Sequence, residues 1–176
     1  MNIPLPVETA NTPLPVETFI KTKCIFHTKA KYNKQRYAFD MEQCRDKTPG
    51  VYFICVNVDG NLHIQKVGKG EGVSGLYQRI AQYIASGVNR VNGTHGKHEN
   101  RYDRSVITMH LAMEKVFETY GNDVELLFYI YPFPKEDKLH KDSGYILESS
   151  QVRALELKLS KQAKKEGHPM LLSGQD

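Results

Sequence analysis

Residues able to act on a phosphodiester follow one another in order along this chain. Gly50-Val51-Tyr52 and Lys66-Val67-Gly68 stand at the outer ends of two apolar runs joined by a turn, so a tyrosine and a lysine share one end of a predicted β-hairpin. Arg79 follows on the next predicted helix, and Glu156 lies far downstream within an apolar helical stripe. A tyrosine, a lysine, an arginine and one carboxylate could together cut phosphodiesters with a single metal ion.

Two registers are open for the predicted hairpin, and they differ in which residue faces Tyr52. A two-residue turn at Asp59-Gly60 would place Ile54 opposite Gln65. A three-residue loop with its glycine in the left-handed conformation would instead place Tyr52 opposite Lys66. We favour the second register because it gathers the apolar residues of both strands on one face. It would bring the Cβ atoms of Tyr52 and Lys66 to within about 5 Å of each other.

The elements that must position these residues predict an α+β fold, in which helices flank a small, three-stranded, mostly antiparallel sheet. The strands are expected at residues 51–58, 62–67 and 124–131, and the helices at residues 76–86, 105–120 and 149–166. A chain of 176 residues is long enough for one domain with a substantial core and too short for two comfortable ones.

Two segments precede this domain, which we place at residues 49–176. Residues 1–18 carry the hexapeptide Pro-Leu-Pro-Val-Glu-Thr twice, at 4–9 and 13–18, and these prolines predict an extended tail. Residues 19–48 form an arm in which lysines are interleaved with aromatic residues, a composition that suits a phosphate backbone and exposed bases. A solvated hairpin or helix with ordinary surface lysines explains the same composition equally well.

Glu156 and Arg79 lie beside apolar helical stripes rather than opposite them. Glu156 follows Val152 by four residues and precedes Leu159 by three, so it shares their side of the last predicted helix. A carboxylate on a buried face is costly unless it is paired or binds a cation. Arg79 borders the apolar face of the first predicted helix, where a guanidinium can hold a phosphate with two hydrogen bonds. The ordinary alternatives are a carboxylate that pairs with a lysine and an arginine that extends its stem over the core.

Two other groups of residues predict no site of their own. Residues 66–75 are rich in glycine but lack the spacing of a P-loop and of a dinucleotide fingerprint, although a bend that presents backbone amides to a phosphate stays open. The histidines and cysteines do not match a standard zinc spacing.

Composition sets the remaining bounds. A net charge of +4 permits binding to nucleic acid without requiring it. Three cysteines give no disulfide framework, the chain begins without the pattern of a signal peptide, and no apolar run approaches the roughly 20 residues that span a bilayer. We therefore expect a soluble, cytoplasmic protein.

Taken together, the motifs resemble those of the GIY-YIG endonuclease superfamily. The resemblance rests on Gly50-Val51-Tyr52, Lys66-Val67-Gly68, Arg79, Tyr83 and Glu156, in that order, and covers the chain from about Pro49 to its end. It is nearest to stand-alone type II restriction enzymes and phage-encoded endonucleases. Lys66 stands where most members have tyrosine, a replacement that some restriction enzymes of the superfamily share.

The resemblance implies a role for each of these residues. Glu156 would be the sole protein ligand of Mg²⁺ or Mn²⁺, and Arg79 would neutralise the scissile phosphate. Tyr52 would take the proton from the attacking water, and Lys66 would stabilise its phenolate. Tyr83 would orient the phosphate or help to protonate the leaving group.

The resemblance also implies a substrate, double-stranded DNA, and an endodeoxyribonuclease activity that is sequence-specific in the manner of a type II restriction enzyme. Contacts to DNA are expected from Lys69 and from the polar loop that contains Asn89, Arg90, Lys97, Arg101 and Arg104. A homodimer would be the simplest way to cut both strands of a symmetric site. The alternatives are a phage-type nicking or degradative endonuclease and a non-catalytic DNA-binding module with the same fold, and the expected compartment is the cytoplasm of a bacterial or phage-infected cell.

Overall fold

A computed structural model describes residues 13–31, 48–71, 75–77, 79–81, 83, 104–133 and 143–173, with side chains for all of these except 104–111 and 143–149. The helices are α1 (Val16–Lys23), α2 (helical residues 75–77, 79–81 and 83), α3 (Arg104–Tyr120) and α4 (Ser143–Lys165). The strands are β1 (Ile25–Lys31), β2 (Gly50–Val58), β3 (Asn61–Gly70) and β4 (Glu125–Pro132). No helix among these residues is long and apolar enough to cross a membrane.

The four strands form one antiparallel sheet in the order β1-β4-β2-β3. The predicted α+β class and the antiparallel pairing are confirmed, but the predicted count of three strands is wrong. The additional strand, β1, lies within the segment that we predicted as a separate basic arm. Its register shifts between Phe26 and Thr28, which breaks the alternation of buried and exposed residues that would identify a strand. The predicted boundary at residue 48 therefore does not separate β1 from the sheet.

Each face of the sheet is covered by two helices, and each interface holds its own core. On the face that carries Tyr52, α2 and α3 bury residues such as Ile80 and Phe117 against the sheet. On the face that carries Phe53, α1 and α4 bury residues such as Ile20 and Leu159. We call these the Tyr52 face and the Phe53 face. Because both faces are buried, β2 is apolar almost throughout and its sequence shows no alternation.

The hairpin between β2 and β3 has a two-residue turn, so our favoured register is wrong. Asp59 and Gly60 both have positive φ angles, 52° and 87°, which is the geometry of a type I′ turn. The side-chain oxygen of Asn57 accepts a hydrogen bond from the Gly60 N–H at 2.9 Å. This turn pairs Val58 with Asn61, and the same register continues along the strands as far as Cys55, which pairs with Ile64.

A β-bulge at Gln65 then moves the rest of the hairpin by one residue, so that Tyr52 faces Gly68 and Ile54 faces Lys66. The Gln65 side chain is fully buried, and its Nε2 donates to the hydroxyl of Tyr120 on α3 at 3.0 Å. Tyr120 lies 55 residues downstream of Gln65, so the hairpin sequence alone could not predict the contact that accompanies the bulge.

The second copy of the repeated hexapeptide begins α1 rather than extending a tail. Val16 is fully buried, and its N–H donates to the carboxylate of Glu166, at the end of α4, with distances of 3.0 and 3.3 Å. The carbonyl oxygen of Leu14 accepts a hydrogen bond from Gln162. The helix therefore starts inside the segment that we predicted as extended, with its first N–H, that of Val16, satisfied by a distant carboxylate. The first copy, at residues 4–9, lies outside the described residues.

Candidate active site

Tyr52 is placed by β2 and by the residue opposite it on β3. Its side chain is 3% exposed and belongs to the core of the Tyr52 face. Gly68 is its cross-strand partner, and a Cβ atom added at Gly68 would overlap the Tyr52 ring. The tyrosine ring therefore lies across the glycine backbone. Any residue larger than glycine at position 68 would occupy the space that the ring fills.

Tyr83 and Arg79 approach the same place from α2. The rings of Tyr52 and Tyr83 have centroids 6.1 Å apart and are tilted by 58°, and a side-chain hydrogen bond joins the two residues. Arg79 precedes Tyr83 by one helical turn, so both side chains lie on the same side of α2. Arg79 is exposed, whereas Tyr83 is buried, so Arg79 is the member of this pair that solvent reaches.

Glu156 joins this group electrostatically from α4. The buried residues on either side of it in the helix, Val152 and Leu159, face the sheet as predicted, and Glu156 itself is half-buried. Although α4 covers the opposite face, the charge of Glu156 raises the pKa of Tyr52. Residues from two separate helices, Arg79 of α2 and Glu156 of α4, thus both act electrostatically on Tyr52 of β2.

Both phenols of the tyrosine pair are held in their neutral form. Burial raises the pKa of Tyr52 well above its ordinary value, with further contributions from Tyr83 and Glu156, and Arg79 opposes the shift. Burial also raises the pKa of Tyr83, but the hydrogen bond from Tyr52 and the charge of Arg79 act against it. These opposite effects of one bond are expected when the Tyr52 hydroxyl donates to the oxygen of Tyr83.

Lys66 is near Tyr52 but is not its direct partner. It faces Ile54, which lies on the same face as Tyr52 two residues along β2. Lys66 is therefore a diagonal neighbour of Tyr52 on the same face, for which a separation of roughly 7–8 Å, or somewhat less between Cβ atoms, is expected instead of the predicted value of about 5 Å. Its half-buried side chain remains on the correct side of the sheet for a role beside the tyrosine.

The residues predicted to contact DNA lie mostly outside the described residues. Lys69 is described, but it faces Val51 and so belongs to the Phe53 face, where its Nζ contacts both carboxylate oxygens of Glu71 at 3.0 Å. Arg104 is the first residue of α3. The predictions for Asn89, Arg90, Lys97 and Arg101 fall outside the described residues.

Glu156 is also the residue on which a metal ion would depend. Among the residues that the structure describes, no three carboxylate, histidine or cysteine side chains cluster as ligands. A single half-buried carboxylate suits Mg²⁺, which commonly binds through one or two protein carboxylates and keeps several waters. The donor chemistry of this site is thus compatible with the predicted ion.

One feature of the candidate site was missed by reasoning from the sequence. Gly68 was noted only as part of a motif, whereas the structure shows that its lack of a side chain makes room for Tyr52. The signal was available in principle, because a glycine within a strand often marks a close approach. It required the correct register, which depends on the bulge at Gln65.

Comparisons of the chain with protein-family models, with curated proteins and with solved structures found no match.

Proposed function

We propose that this protein is a metal-dependent endodeoxyribonuclease that hydrolyses phosphodiester bonds at the site formed by Tyr52, Tyr83, Arg79 and Glu156. The observation that carries the proposal is the convergence of these four residues from β2, α2 and α4. Lys66 lies on the same face of the sheet. The group combines a cation for a phosphate, a carboxylate for a metal ion and a hydrogen-bonded pair of phenols for proton transfer.

Arg79 is the residue best placed to receive the scissile phosphate, because it is the exposed member of the group. Its guanidinium can donate two parallel hydrogen bonds to phosphate oxygens and can neutralise charge that develops on them. Glu156 would hold the divalent ion, which supplies a Lewis acid to the phosphate when it is bound. Lys66 adds a second positive charge beside the tyrosines.

The proton from the attacking water would pass to the tyrosine pair. Tyr52 alone is a poor base in the free protein, since burial and the charge of Glu156 keep its hydroxyl protonated. If the negative charge of Glu156 is neutralised, one of the effects that raise the pKa of Tyr52 is removed. Because a hydrogen bond joins Tyr52 and Tyr83, the two phenols titrate together, and we assign proton transfer to the pair.

Cleavage of plasmid DNA tests this proposal directly. Supercoiled plasmid and phage DNA are incubated with the purified protein with and without Mg²⁺, beside Glu156→Gln and the matched control Glu118→Gln, an exposed carboxylate on α3. We expect cleavage that requires the metal, is lost in Glu156→Gln and is retained in Glu118→Gln. Discrete fragments would indicate a sequence-specific enzyme, and nicks or a smear would indicate a phage-type activity.

Intact DNA in every lane would overturn the proposed activity. If a gel-shift assay then shows that wild-type protein still retards DNA, the chain is a binding module that keeps the residues without the chemistry. Cleavage by Glu156→Gln at the wild-type rate would also contradict the proposal, because this variant lacks the only metal ligand that we assign.

A further inference from the structure

Gln65, the extra residue of the β-bulge, is held by its side chain in a buried position on the edge strand β3. Its side chain is fully buried, and a buried amide is costly unless it is hydrogen-bonded. Its Nε2 donates to the hydroxyl of Tyr120 at 3.0 Å and to the carbonyl oxygen of His63 at 2.9 Å. Its Oε1 has no hydrogen-bond partner among the described residues, so the two bonds from Nε2 are the ones that fix the amide.

The backbone at the bulge is held as well, by the segment that follows α4. The Met170 N–H donates to the carbonyl oxygen of Ile64 at 3.0 Å, and the Leu172 N–H donates to that of Gln65 at 2.9 Å. Met170 is buried in the core of the Phe53 face, whereas Leu172 is buried in the core of the Tyr52 face. The segment therefore passes around the edge of β3 at the bulge and ties it to the end of the helix that carries Glu156.

The bulge decides which side chains of β3 accompany Tyr52. Without the extra residue, the register of the turn would continue and would place Lys66 opposite Phe53 and Val67 opposite Tyr52. With it, Lys66 lies on the Tyr52 face and Gly68 lies directly opposite Tyr52. The geometry at the bulge is therefore passed on to two residues of the candidate site, one beside it in the chain and one three residues further along.

Packing locates the bulge but does not fix its bend. Ile64 and Val67 are both buried in the core of the Phe53 face although they are three residues apart, which a regular strand with a period of two does not allow. The extra residue therefore lies between them. A bulge also bends its strand and increases the local twist. The hydrogen bond from Gln65 to Tyr120 sets how far this part of β3 is drawn towards α3, and so how the strand is aimed next to the site.

We propose that Tyr120 is a positioning residue of the candidate site and that it acts through Gln65. Its hydroxyl holds the bulge in the bend at which the backbone of Gly68 fits against the Tyr52 ring. The inference rests on the proposed nuclease function, because it assigns Tyr120 an effect on the rate of cleavage that needs no contact with DNA. Such effects can be large, since a misplacement of about 1 Å caused by a distant substitution can lower a rate by about 10²-fold.

Nuclear magnetic resonance on the free protein measures the geometry directly. The Gly68 Hα protons lie against the Tyr52 ring, so the ring shifts their resonances and gives nuclear Overhauser contacts to them. In Tyr120→Phe we expect these contacts to weaken and the resonances to move towards those of an ordinary glycine. Tyr129→Phe, which removes a hydroxyl on the Phe53 face, is the matched control and should leave both unchanged.

Kinetics and binding separate positioning from a loss of folded protein. Tyr120→Phe should cleave plasmid DNA about tenfold more slowly per folded molecule than the wild type. Its affinity for DNA, measured in Ca²⁺, should stay within about twofold, because no group that we place on the phosphate is removed. Tyr129→Phe should match the wild type in both quantities. Thermal melting gives the folded fraction of each variant.

A double-mutant cycle tests the route through Gln65. Gln65→Met keeps a long unbranched side chain in the buried position but removes both hydrogen bonds from Nε2, so it should displace the Gly68 resonances as Tyr120→Phe does. The two substitutions combined should have no more effect than the larger of the single ones, because each removes the same bond to Tyr120. Additive effects on the resonances would overturn the route that we assign.

Unchanged Gly68 resonances in folded Tyr120→Phe and Gln65→Met would overturn the inference, and plasmid cleavage by the wild type would leave the proposed function standing. Cleavage by Tyr120→Phe at the wild-type rate per folded molecule would overturn it as well. If Tyr120→Phe does not fold, the resonances and the cleavage rate of Gln65→Met decide the outcome by the same criteria. Resonances that move in both variants while the wild type leaves DNA intact would support the positioning of Tyr52 and refute the nuclease.

Discussion

The ring of Tyr52 lies across the backbone of Gly68, its partner on the neighbouring strand. This relationship explains why the two short motifs of the hairpin occur together. The first motif ends in a large aromatic residue, and the second ends in the one residue that leaves space for it. Tyr83 provides a hydrogen-bonding partner for Tyr52 as well, so two contacts hold the tyrosine in place.

We predict that Gly68→Ala displaces Tyr52 and lowers nuclease activity by at least tenfold. The added Cβ would overlap the tyrosine ring, because Gly68 lies directly opposite the buried Tyr52 on the edge strand β3. The matched control is Gly60→Ala, where no atom lies within 4 Å of the new Cβ but the φ angle is +87°. That variant should lose about 1 kcal/mol of stability through backbone strain alone.

Initial cleavage rates and thermal melting distinguish the two effects. Gly68→Ala should be less active even after correction for the folded fraction, whereas folded Gly60→Ala should cleave at the wild-type rate. Equal activity per folded molecule in both variants would show that the position of Tyr52 does not matter.

The positions of Arg79 and Tyr83 on one side of α2 could be anticipated from the sequence, because that constraint is local. A spacing of four residues puts Arg79 and Tyr83 on one side of a helix. The apolar stripe around Glu156 accounts only for its half-buried position on α4, which packs on the Phe53 face, and not for its effect on Tyr52. Proximity is a structural result, and the chemical roles remain proposals.

The errors arose where distant contacts determine local geometry. The bulge at Gln65 accompanies a hydrogen bond to Tyr120, which the hairpin pattern alone cannot reveal. Strand β1 was missed because its bulge disrupts the period of two and because its buried residues include His27 and Thr28, which hydropathy alone does not place in a core. Tertiary context decided both cases.

We predict that the tyrosine pair makes the protein sensitive to alkaline pH. Burial raises the pKa of Tyr52 in the folded state above its unfolded value near 10, so its stabilising effect is complete below about pH 10. That contribution is lost as the pH rises from the unfolded towards the folded pKa, by up to about 1.4 kcal/mol per pH unit for one group. Tyr52→Phe should therefore lose less stability than the wild type above pH 10.

Urea denaturation at pH 8, 9, 10 and 11 measures this difference. The free energies of unfolding of the wild type and Tyr52→Phe should differ by a constant amount from pH 8 to pH 9. That difference should shrink above pH 10. Parallel curves at all four values would mean that Tyr52 ionises as easily in the folded protein as in the unfolded chain, and would contradict the buried pair.

We predict that Arg79→Lys reduces cleavage by 10²–10³-fold while leaving stability within about 0.5 kcal/mol of the wild type. The exposed side chain contributes little to folding, and an ammonium group cannot reproduce the two parallel hydrogen bonds of a guanidinium on phosphate. Arg153→Lys, another exposed arginine on a helix, is the matched control and should retain full activity. A small loss in Arg79→Lys similar to that of the control would exclude a bidentate phosphate contact.

The contact between Glu166 and α1 predicts a structural effect far from the candidate site. The Glu166 carboxylate accepts hydrogen bonds from the Val16 N–H and from Gln162, at 3.0 and 2.7 Å. It therefore satisfies the first N–H of a helix whose own cap residue, Pro15, provides no capping side chain. Glu166→Ala should therefore destabilise the protein by about 1 kcal/mol, the usual cost of removing a helix cap. Glu118→Ala, which removes an exposed carboxylate from α3, should have a much smaller effect. Thermal melting of both variants measures the difference, and melting temperatures that agree within error would show that α1 does not depend on this remote cap.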